Sequence, residues 1–571
     1  MSVILSTKAN CKNCYKCVRV CPVKAIKFED NQAEVLPQEC ILCGACVLNC
    51  PQQAKNVANQ LDKVRRMIRE GQKVVASVAP SFPGSLFAQQ PMKLPTALRK
   101  LGFYQVRETA DGAARVSDAY VELAADGKMD NIITTCCPSV NDLIEKYHPA
   151  LVDAMAPVIS PMIAHGRAIK KELGADVKVV FVGPCIAKME EAEDVRHLDA
   201  VNAVLTFADL IAWLREERVD VDNLEETPFD GEQPGMARMY PTAAGIIENV
   251  RARGINPKYR MLHVEGAQSC EELLKALEEG QLHDCFIEMN MCEGACMGGP
   301  MTGHEKPERF KGQLAVQALA SDGEIRIPEI ADQVPMFKQF VNRAKKDAIP
   351  DAETIRAILR SMGKECKMDE LNCGSCGYPS CRAKAIAVYQ GKADPSMCMP
   401  YMFQSAQSFS NVVMENTPNL ILLVDEELKI KELNKAASQV FGMSRAEALN
   451  HYIFELIDAE DFQTVLNNYE TIRDKKVSYP AYNMTASITL VYIPNQRAVM
   501  AILRDISADE ERESQAYQLK LDTVEMAQKV ISKQMVAAQE IASLLGETTA
   551  ETKSTLTRLK NMIINSGEGK K

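Results

Sequence analysis

The 571-residue sequence lacks the features that would place it in several large classes of protein. It contains no run of about eighteen or more apolar residues, so no segment is expected to cross a membrane. Its first residues have neither a basic segment nor an apolar core of the secretory type, which predicts a soluble, cytoplasmic protein. The net charge is −10 and the isoelectric point is about 5.5, so binding to nucleic acid has no electrostatic support.

Cysteine, in contrast, is abundant, with twenty residues. In a chain without a secretory signal, so many cysteines indicate metal binding rather than disulfide bonds. Sixteen of them lie in motifs with the spacing of iron–sulfur ligands. The other four are Cys136, Cys270, Cys285 and Cys366.

Three cysteine-bearing stretches share one design, in which a predicted strand ends at the cysteines. Residues 131–135 precede Cys136-Cys137-Pro138, residues 178–182 precede Gly183-Pro184-Cys185, and residues 285–287 precede the run 288–300. Open α/β sheets bind ligands where their strands end, and a helix N-terminus favours the thiolate that binds metal. Cys292 and Cys296 are four residues apart, so on a helix both would face one side. Buried structural cysteine explains any one stretch alone, but three together favour a metal site.

The three stretches resemble, in order, the signature motifs of [FeFe]-hydrogenases, which read roughly TSCCP, MPCxxK and ExMxCxxGC. The chain has Thr134-Thr135-Cys136-Cys137-Pro138, then Gly183-Pro184-Cys185-Ile186-Ala187-Lys188, then residues 288–296. Ala79-Pro80-Ser81 matches a fourth feature of the family, after an early strand. The resemblance implies an α/β catalytic domain over residues 59–360.

The family's active site, the H-cluster, joins a [4Fe–4S] cluster to a diiron unit with CO, cyanide and a dithiolate amine bridge. The resemblance implies four cluster ligands, which are Cys137, Cys185, Cys292 and the bridging Cys296.

Other matching positions would line the diiron unit. Lys188 matches the lysine that hydrogen-bonds a cyanide, with a solvated helix lysine as the alternative. Cys136 matches the cysteine that passes protons to the bridge amine, with a small buried side chain as the alternative. Further cofactor-lining positions in these motifs are Ala79, Pro80, Ser81, Gly183, Pro184 and Asn290.

The chain also departs from the family pattern. Gly183 and Asn290 stand where members have methionines, and Ala295 stands where they have glycine. Members use glutamates about twenty residues before the catalytic cysteine as a proton path, but here only Asp118 is acidic in that stretch. Such changes near a metal tune its reactivity. We therefore expect slow turnover.

Residues 1–58 carry two Cys-x2-Cys-x2-Cys-x3-Cys-Pro runs, the pattern of bacterial two-cluster ferredoxins. In that pattern the fourth cysteine of each run ligates the other cluster. One [4Fe–4S] cluster would be held by Cys11, Cys14, Cys17 and Cys50, and the second by Cys40, Cys43, Cys46 and Cys21. Zinc is the alternative, although its sites seldom have this spacing.

Residues 361–405 contain a further four-cysteine motif, formed by Cys373, Cys376, Cys381 and Cys398. It resembles a small [4Fe–4S] module of corrinoid and electron-transfer proteins, which would bring the number of [4Fe–4S] clusters to four. Structural zinc is the alternative here as well, and Cys366 could substitute as a ligand.

Residues 406–508 resemble a PAS domain, with predicted strands at 419–424, 429–434, 477–483, 485–493 and 498–504 and a helix at 435–442. We expect no PAS cofactor, because the single histidine there, His451, is more often structural. Residues 509–571 are predicted to form a signalling helix. The positions of its stripe recur every seven residues, as in a coiled coil, with an interruption by threonine: Val524, Ile531, Ala538, Leu545, Thr552 and Leu559. A helix packed on its own PAS domain is the alternative.

The predicted fold is thus a multidomain α/β protein with a ferredoxin domain, a catalytic domain, an iron–sulfur module, an α+β PAS domain and a coiled-coil helix. This order resembles the sensory [FeFe]-hydrogenases of anaerobic bacteria. The resemblance implies slow interconversion of H2 with protons and electrons, used to sense hydrogen or redox state. Implied partners are ferredoxin and, through the C-terminal helix, a second copy or a signalling phosphatase or kinase. The alternatives are a metabolic ferredoxin-linked hydrogenase and a non-catalytic iron–sulfur protein of the same fold.

Overall fold

A computed structural model of the chain describes residues 3–7, 10–29, 32–85, 90–231, 234–303, 308–321, 334–345, 348–545 and 550–565. The chain divides into two compact units, residues 1–402 and residues 403–571. Each is described separately below.

The N-terminal part of the first unit has two small antiparallel ribbons and two short helices. Strand β1 pairs with β4, and β2 pairs with β3. The elements are β1 (Ile4–Ser6), α1 (Lys16–Val20), β2 (Ile26–Glu29), β3 (Gln32–Val35), α2 (Ala45–Leu48) and β4 (Lys55–Val57). The cysteine-rich loops lie between these elements, which agrees with a ferredoxin-type arrangement.

Two parallel sheets follow. The first has the strand order β6-β5-β8-β9, and the second has the order β10-β11-β7. Their strands are β5 (Val74–Val78), β6 (Gln105–Glu108), β7 (Asn131–Ile133), β8 (Lys178–Gly183), β9 (Ala203–Thr206), β10 (Arg260–Glu265) and β11 (Cys285–Asn290). All five residues of β5 and all six of β11 are buried, as expected for strands covered on both faces.

Helices connect and cover these strands. They are α3 (Leu61–Arg69), α4 (Lys93–Lys100), α5 (Ala110–Ala125), α6 (Pro138–Tyr147), α7 (Pro161–Leu173), α8 (Ala187–Glu193), α9 (Phe207–Glu216), α10 (Gly245–Ala252), α11 (Ala267–Glu278) and α12 (Arg309–Ser321). The predicted α/β architecture is confirmed. In α3, for example, Leu61, Val64 and Met67 recur at three-residue spacing and all are buried against the sheet side.

One sequence-based prediction in this region was wrong. Cys292 and Cys296 do not share a helix, because Cys292 lies in a bend and Cys296 in the 3₁₀ turn Ala295–Gly298. Gly294, with φ +80°, and Ala295, with φ 49°, both adopt left-handed backbone there, which prevents a regular helix.

The first unit ends with α13 (Ala352–Ser361), α14 (Cys381–Tyr389) and the start of α15 (Met399–Asn416). The second unit holds a five-stranded antiparallel sheet of order β13-β12-β16-β15-β14. Its elements are β12 (Leu420–Asp425), β13 (Ile430–Leu433), α16 (Lys435–Phe441), α17 (Arg445–Ala448), α18 (Glu460–Asn468), β14 (Ile472–Tyr479), β15 (Met484–Ile493) and β16 (Ala498–Asp505).

These elements confirm the predicted α+β domain, although the predicted position of strand β14 was wrong. It was expected at 477–483 but begins at Ile472 and ends at Tyr479. Pro480 follows, and proline has no N–H to continue the ladder, so residues Pro480–Tyr482 form a 3₁₀ turn instead.

The C-terminal region is helical, as expected, in the residues that the structure describes. Helix α19 spans Ser507–Leu545 and α20 spans Ala550–Asn565, and the two are in contact. In the part of the chain that the structure describes, no helix is both long and apolar enough to cross a membrane.

Candidate functional site

The candidate site lies where the strands of the two parallel sheets end. In the first sheet Val78 pairs with Val182, so 79–81 and 183–185 leave the sheet side by side. In the second sheet Ile287 pairs with Ile133, so 134–137 and 290–292 do the same. The carboxyl ends of parallel strands are the usual ligand position of α/β folds, and here two such edges meet around one cavity.

Four predicted ligand cysteines line this cavity, which has a volume of about 110 Å³. Cys137 is the N-cap residue of α6, and Cys185 lies between β8 and α8. Cys292 follows β11, and the backbone N–H of Cys296 donates to the Pro241 carbonyl at 3.1 Å. The side chain of Cys296 is surrounded by protein but is still accessible to solvent, because it faces the cavity.

Burial suppresses ionisation of Cys185, Cys292 and Cys296. Burial, together with a smaller contribution from neighbouring Cys137, raises the pKa of Cys185 to about 11. It also raises the pKa of Cys292, with contributions from the other three cysteines. A cluster of buried thiols that repel each other's charge becomes thiolate only when a metal centre neutralises it. The donor set therefore fits the [4Fe–4S] part of an H-cluster.

Lys188 lies in α8 with its side chain buried against the same cavity. Its Nζ donates to Glu191 Oε2 at 2.7 Å and to the Cys136 carbonyl at 3.2 Å. An ammonium group has three donors, so one N–H is left for a cavity ligand. Burial opposes its charge, but Glu191 and the nearby thiols raise the pKa of Lys188 and keep it cationic.

Cys136 also lines the cavity, and burial raises the pKa of its thiol to about 12. Its Sγ lies 3.2 Å from the hydroxyl of Tyr120. That hydroxyl accepts a hydrogen bond from Thr135 N at 2.9 Å, which fixes its position. The thiol is therefore held by a hydrogen bond and is not a loosely packed apolar side chain.

Ala79, Pro80 and Ser81 line the cavity from the end of β5. Ser81 is 1% exposed, and its hydroxyl has no hydrogen-bond partner among the described residues. Buried hydroxyls in folded proteins nearly always have a partner. An unsatisfied donor aimed at this cavity fits a cyanide or carbonyl ligand of a diiron unit.

The glycine at position 183, which departs from the family motif, has a structural explanation. A Cβ at Gly183 would lie 2.7 Å from Cε1 and Cζ of Phe181, and 3.0 Å from the Ala79 Cβ. The Phe181 ring lines the cavity and occupies the space beside Gly183. Asn290 and Pro184 also line the cavity, and the Asn290 amide donates to Glu288 Oε1 at 3.2 Å.

Sequence reasoning missed several residues around the cavity. Phe181, Tyr120 and Tyr240 contribute to its surroundings, and Glu191 anchors Lys188. No sequence motif marks any of these residues, because only the tertiary structure brings them to the cavity. The acidic residue singled out for a proton path, Asp118, pairs with Arg253 at 2.7 Å and is about half exposed.

The comparison with protein families matches this region to the iron-only hydrogenase large subunit, C-terminal domain, over residues 72–300. Three further families match, which are a 4Fe-4S dicluster domain at 3–51, a putative Fe-S cluster at 368–400 and a PAS fold at 409–506.

Characterised relatives are distant. Iron hydrogenase 1 of Clostridium pasteurianum is 26% identical over 53% of this chain and 65% of its own length, which is less than two thirds. The periplasmic [Fe] hydrogenase large subunit of Nitratidesulfovibrio vulgaris is 25% identical over 51% of this chain and 84% of its own. Cytosolic iron-sulfur assembly component 3 of Rattus norvegicus is 23% identical over 47% and 72%.

The solved structures that resemble part of this chain include an [FeFe]-hydrogenase from Chlamydomonas reinhardtii. It is 15% identical, covers 50% of this chain and all of its own, and has a TM-score of 0.40.

The ferredoxin-type domain next to the hydrogenase domain brings its cysteines into two groups. Cys21, Cys40, Cys43 and Cys46 line one cavity, which is the set predicted for the second cluster. Cys11 and Cys14 both affect the pKa of Cys17, so these three lie together. Cys50 accepts a hydrogen bond from Ala54 N, and its place in the first cluster stays a prediction.

The four-cysteine module places its predicted ligands around another cavity, lined by Cys373, Cys376, Cys381 and Cys398. Cys366 is exposed and does not line it. Among the described residues, no group of three His, Cys, Asp or Glu side chains converges on a single ion. Each cysteine of a [4Fe–4S] cluster binds a different iron, so its ligands stand farther apart than those of one ion.

Proposed function

We propose that this chain is an [FeFe]-hydrogenase that interconverts H2 with protons and electrons. The observation that carries the proposal is the convergence of Cys137, Cys185, Cys292 and Cys296 on one cavity that Lys188 and Cys136 also line. When bound, the diiron unit supplies the centre at which H2 is cleaved or formed. Cys296 is the residue proposed to join it to the [4Fe–4S] part.

The remaining residues have supporting roles in this proposal. Lys188 holds a buried positive charge beside the cavity and offers one N–H to an anionic ligand. Ser81 offers a hydroxyl from the opposite strand end. Cys136 exchanges protons with the site, because its thiol both lines the cavity and has a hydrogen-bond partner.

We propose that turnover is slow. Gly183 and Asn290 stand where family members have flexible methionines, and the Phe181 ring fills the space beside Gly183, so the pocket is stiffer and more polar. The acidic side chain in the stretch of the family's proton path, Asp118, is engaged by Arg253 at the surface. Slow turnover suits a sensor better than a metabolic enzyme that exchanges electrons rapidly with ferredoxin.

The output of the proposed sensor passes through the PAS domain and the C-terminal helices. No PAS ligand is invoked. Helix α19 exposes several apolar side chains in the described part of the chain, among them Leu519, Met526, Val530 and Ile541. This apolar surface supports contact with a second copy or with a signalling phosphatase or kinase. Electrons would enter or leave through the ferredoxin-type domain and a redox partner such as ferredoxin.

A non-catalytic iron–sulfur protein of the same fold is the second candidate, because relatives named as cytosolic iron-sulfur assembly component 3 match 47% and 51% of this chain. Such a protein needs no diiron unit. The retained Lys188 and Cys136 favour the hydrogenase. Infrared spectra of the protein after maturation, combined with an H2 oxidation assay, separate the two. CO and cyanide bands together with measurable H2 oxidation would support the proposal. A protein with full iron–sulfur content that shows neither these bands nor H2 oxidation would refute it.

A further inference from the structure

We propose that the site of Cys21, Cys40, Cys43 and Cys46 is an electron junction, in contact with the hydrogenase cavity on one side and with the four-cysteine module on the other. The inference rests on the proposed function for the identity of the clusters. It adds that the module is docked on the ferredoxin-type domain, through which it exchanges electrons with the active site.

The first contact of the module is with helix α1. Gly377 has φ +92°, and a Cβ there would lie 2.9 Å from Val18 Cγ1 and 3.1 Å from Arg19 N. The Arg19 guanidinium donates to the Ser375 carbonyl at 3.2 Å and to the Cys14 carbonyl at 2.9 Å. The backbone of the module at Gly377 therefore packs directly on the backbone of α1, and position 377 has no space for a larger residue.

A second contact fixes the other edge of the module. Phe28 N donates to the Lys392 carbonyl at 3.0 Å, next to strand β2. Lys392 Nζ lies 2.8 Å from Glu39 Oε2, and both side chains are mostly buried. Residues of both partners also share one apolar core, which includes Val18, Cys21, Tyr378 and Met397. The module is thus packed against the ferredoxin-type domain by apolar contact, hydrogen bonds and an ion pair.

The predicted ligands Cys21 and Cys376 belong to one apolar core, in which Cys21 and Tyr378 are buried and against which Cys376 packs. Tyr378 lines the cavity of the module together with Cys376, and its hydroxyl has no hydrogen-bond partner among the described residues. Lys24, three residues after Cys21, donates to the Val18 carbonyl at 3.1 Å. The two predicted cluster sites therefore share one core where the module is docked.

The opposite side of the junction touches the hydrogenase domain. Leu42 and Cys43 line the active-site cavity, as Cys292 does. A Cβ at Gly44 would lie 2.5 Å from Pro300 Cβ, so the loop that carries Cys43 is pressed against the cavity wall. Electron tunnelling falls steeply with distance, so these contacts define the favoured routes.

The electron balance is simple. Oxidation of one H2 releases two protons and two electrons. The junction accepts one electron at a time, and each transfer to the module oxidises the junction by one electron and reduces the module by one. The redox state of the module would then follow that of the active site, which gives the sensor a second electron exit close to its PAS domain in the sequence.

The test uses the full-length matured protein with Gly377→Val, which forces the module away from α1. Gly391→Val is the matched control, because Gly391 lies in the same module with φ +68° and has nothing within 4 Å of its Cβ. Iron content and the EPR spectrum after chemical reduction are measured. We expect spin–spin broadening between two reduced clusters in the wild type and in Gly391→Val. In Gly377→Val at unchanged iron content we expect narrower, separate signals.

A coupled spectrum that survives Gly377→Val would overturn the proposal, as would an uncoupled wild-type spectrum at full iron content. A wild-type protein whose iron content is four atoms per chain below the expected value would instead contradict the cluster assignment in the proposed function. It would contradict the electron junction as well. Should Gly377→Val not fold, Lys392→Glu provides a second route. It places two negative charges together at Glu39 and is expected to reduce the coupling, and the added substitution Glu39→Lys is expected to restore it. Coupling unaffected by Lys392→Glu would count against the docking.

Discussion

The ring of Phe181 occupies the space beside Gly183, so that any side chain at position 183 would collide with it. The two residues are on the same strand, two positions apart, and their side-chain positions face the same side of the sheet. Glycine at position 183 therefore leaves the space that the large Phe181 ring needs. In the cavity wall, a rigid aromatic ring takes the place of the flexible methionine thioether of the family motif.

This pairing predicts the stability of a double mutant. Gly183→Ala should destabilise the protein by about 1–3 kcal/mol, because overpacked cores carry costs of that size. In a Phe181→Leu background the same substitution should cost clearly less, and the difference is the coupling between the two positions. Urea unfolding midpoints of the four proteins in this cycle measure it. Equal costs in both backgrounds would show that the ring is not the obstacle.

Replacement of Cys136 by alanine should lower H2 oxidation by about a hundredfold, which is typical for loss of a positioned proton donor or acceptor. The infrared bands and the iron content should stay as in the wild type, because Cys136 is not proposed to bind metal. Asp118→Asn is the control and should leave turnover unchanged, since Asp118 is paired with Arg253 at the surface. Undiminished activity in Cys136→Ala would exclude a proton role for this thiol.

The four-cysteine module offers a matched pair of cysteine substitutions. Cys381→Ala should lower the iron content by about four atoms per chain, because a [4Fe–4S] cluster that loses one of four thiolate ligands is unstable. Cys366→Ala should leave it unchanged, because Cys366 does not line the cavity. Bound zinc in the wild type without the expected iron would contradict the assignment, and iron loss in both variants would make Cys366 a ligand.

The C-terminal helices are predicted to mediate association. Val530→Glu combined with Met526→Lys places charges on two exposed apolar positions of α19 and should weaken or abolish association. Truncation after Glu513 should do the same and keeps the ion pair of Lys476 with Glu510. H2 oxidation should persist in both proteins. Sedimentation measures the association, and an unchanged oligomeric state would mean that α19 is not the docking surface.

The positions of the ligand cysteines could be predicted because each motif is contiguous in sequence. Cys137 and Cys185 lie directly between a strand and a helix, so local patterning was enough to place them. The strands β6, β9 and β10, of four to six residues, were not predicted, because no motif of the site follows them to mark where a strand ends. Apolar periodicity is weak over such lengths, and pairing with neighbouring strands decides the structure.

The surroundings of the site could not be predicted for a different reason. Tyr120 reaches Cys136 from helix α5, and the ring of Phe181 fills a space that only the folded backbone defines. The docking of Gly377 on Val18 joins residues far apart in the sequence. The seven-residue pattern of the last helix predicted a seam at Val524 and Ile531, but those side chains are partly buried and Met526 and Val530 are the exposed ones. A helical pattern identifies a face but not which neighbour covers it.

The most direct test of the central proposal is the infrared spectrum of the matured protein with and without Cys296. The wild type should show CO and cyanide bands of a protein-bound diiron unit. Cys296→Ala should lose them, because Cys296 is the proposed bridge. Cys285→Ala, which removes a buried cysteine that does not line the cavity, should keep them. Absence of the bands from the wild type, or their survival unchanged in Cys296→Ala, would contradict the assignment of this cavity as the site of an H-cluster.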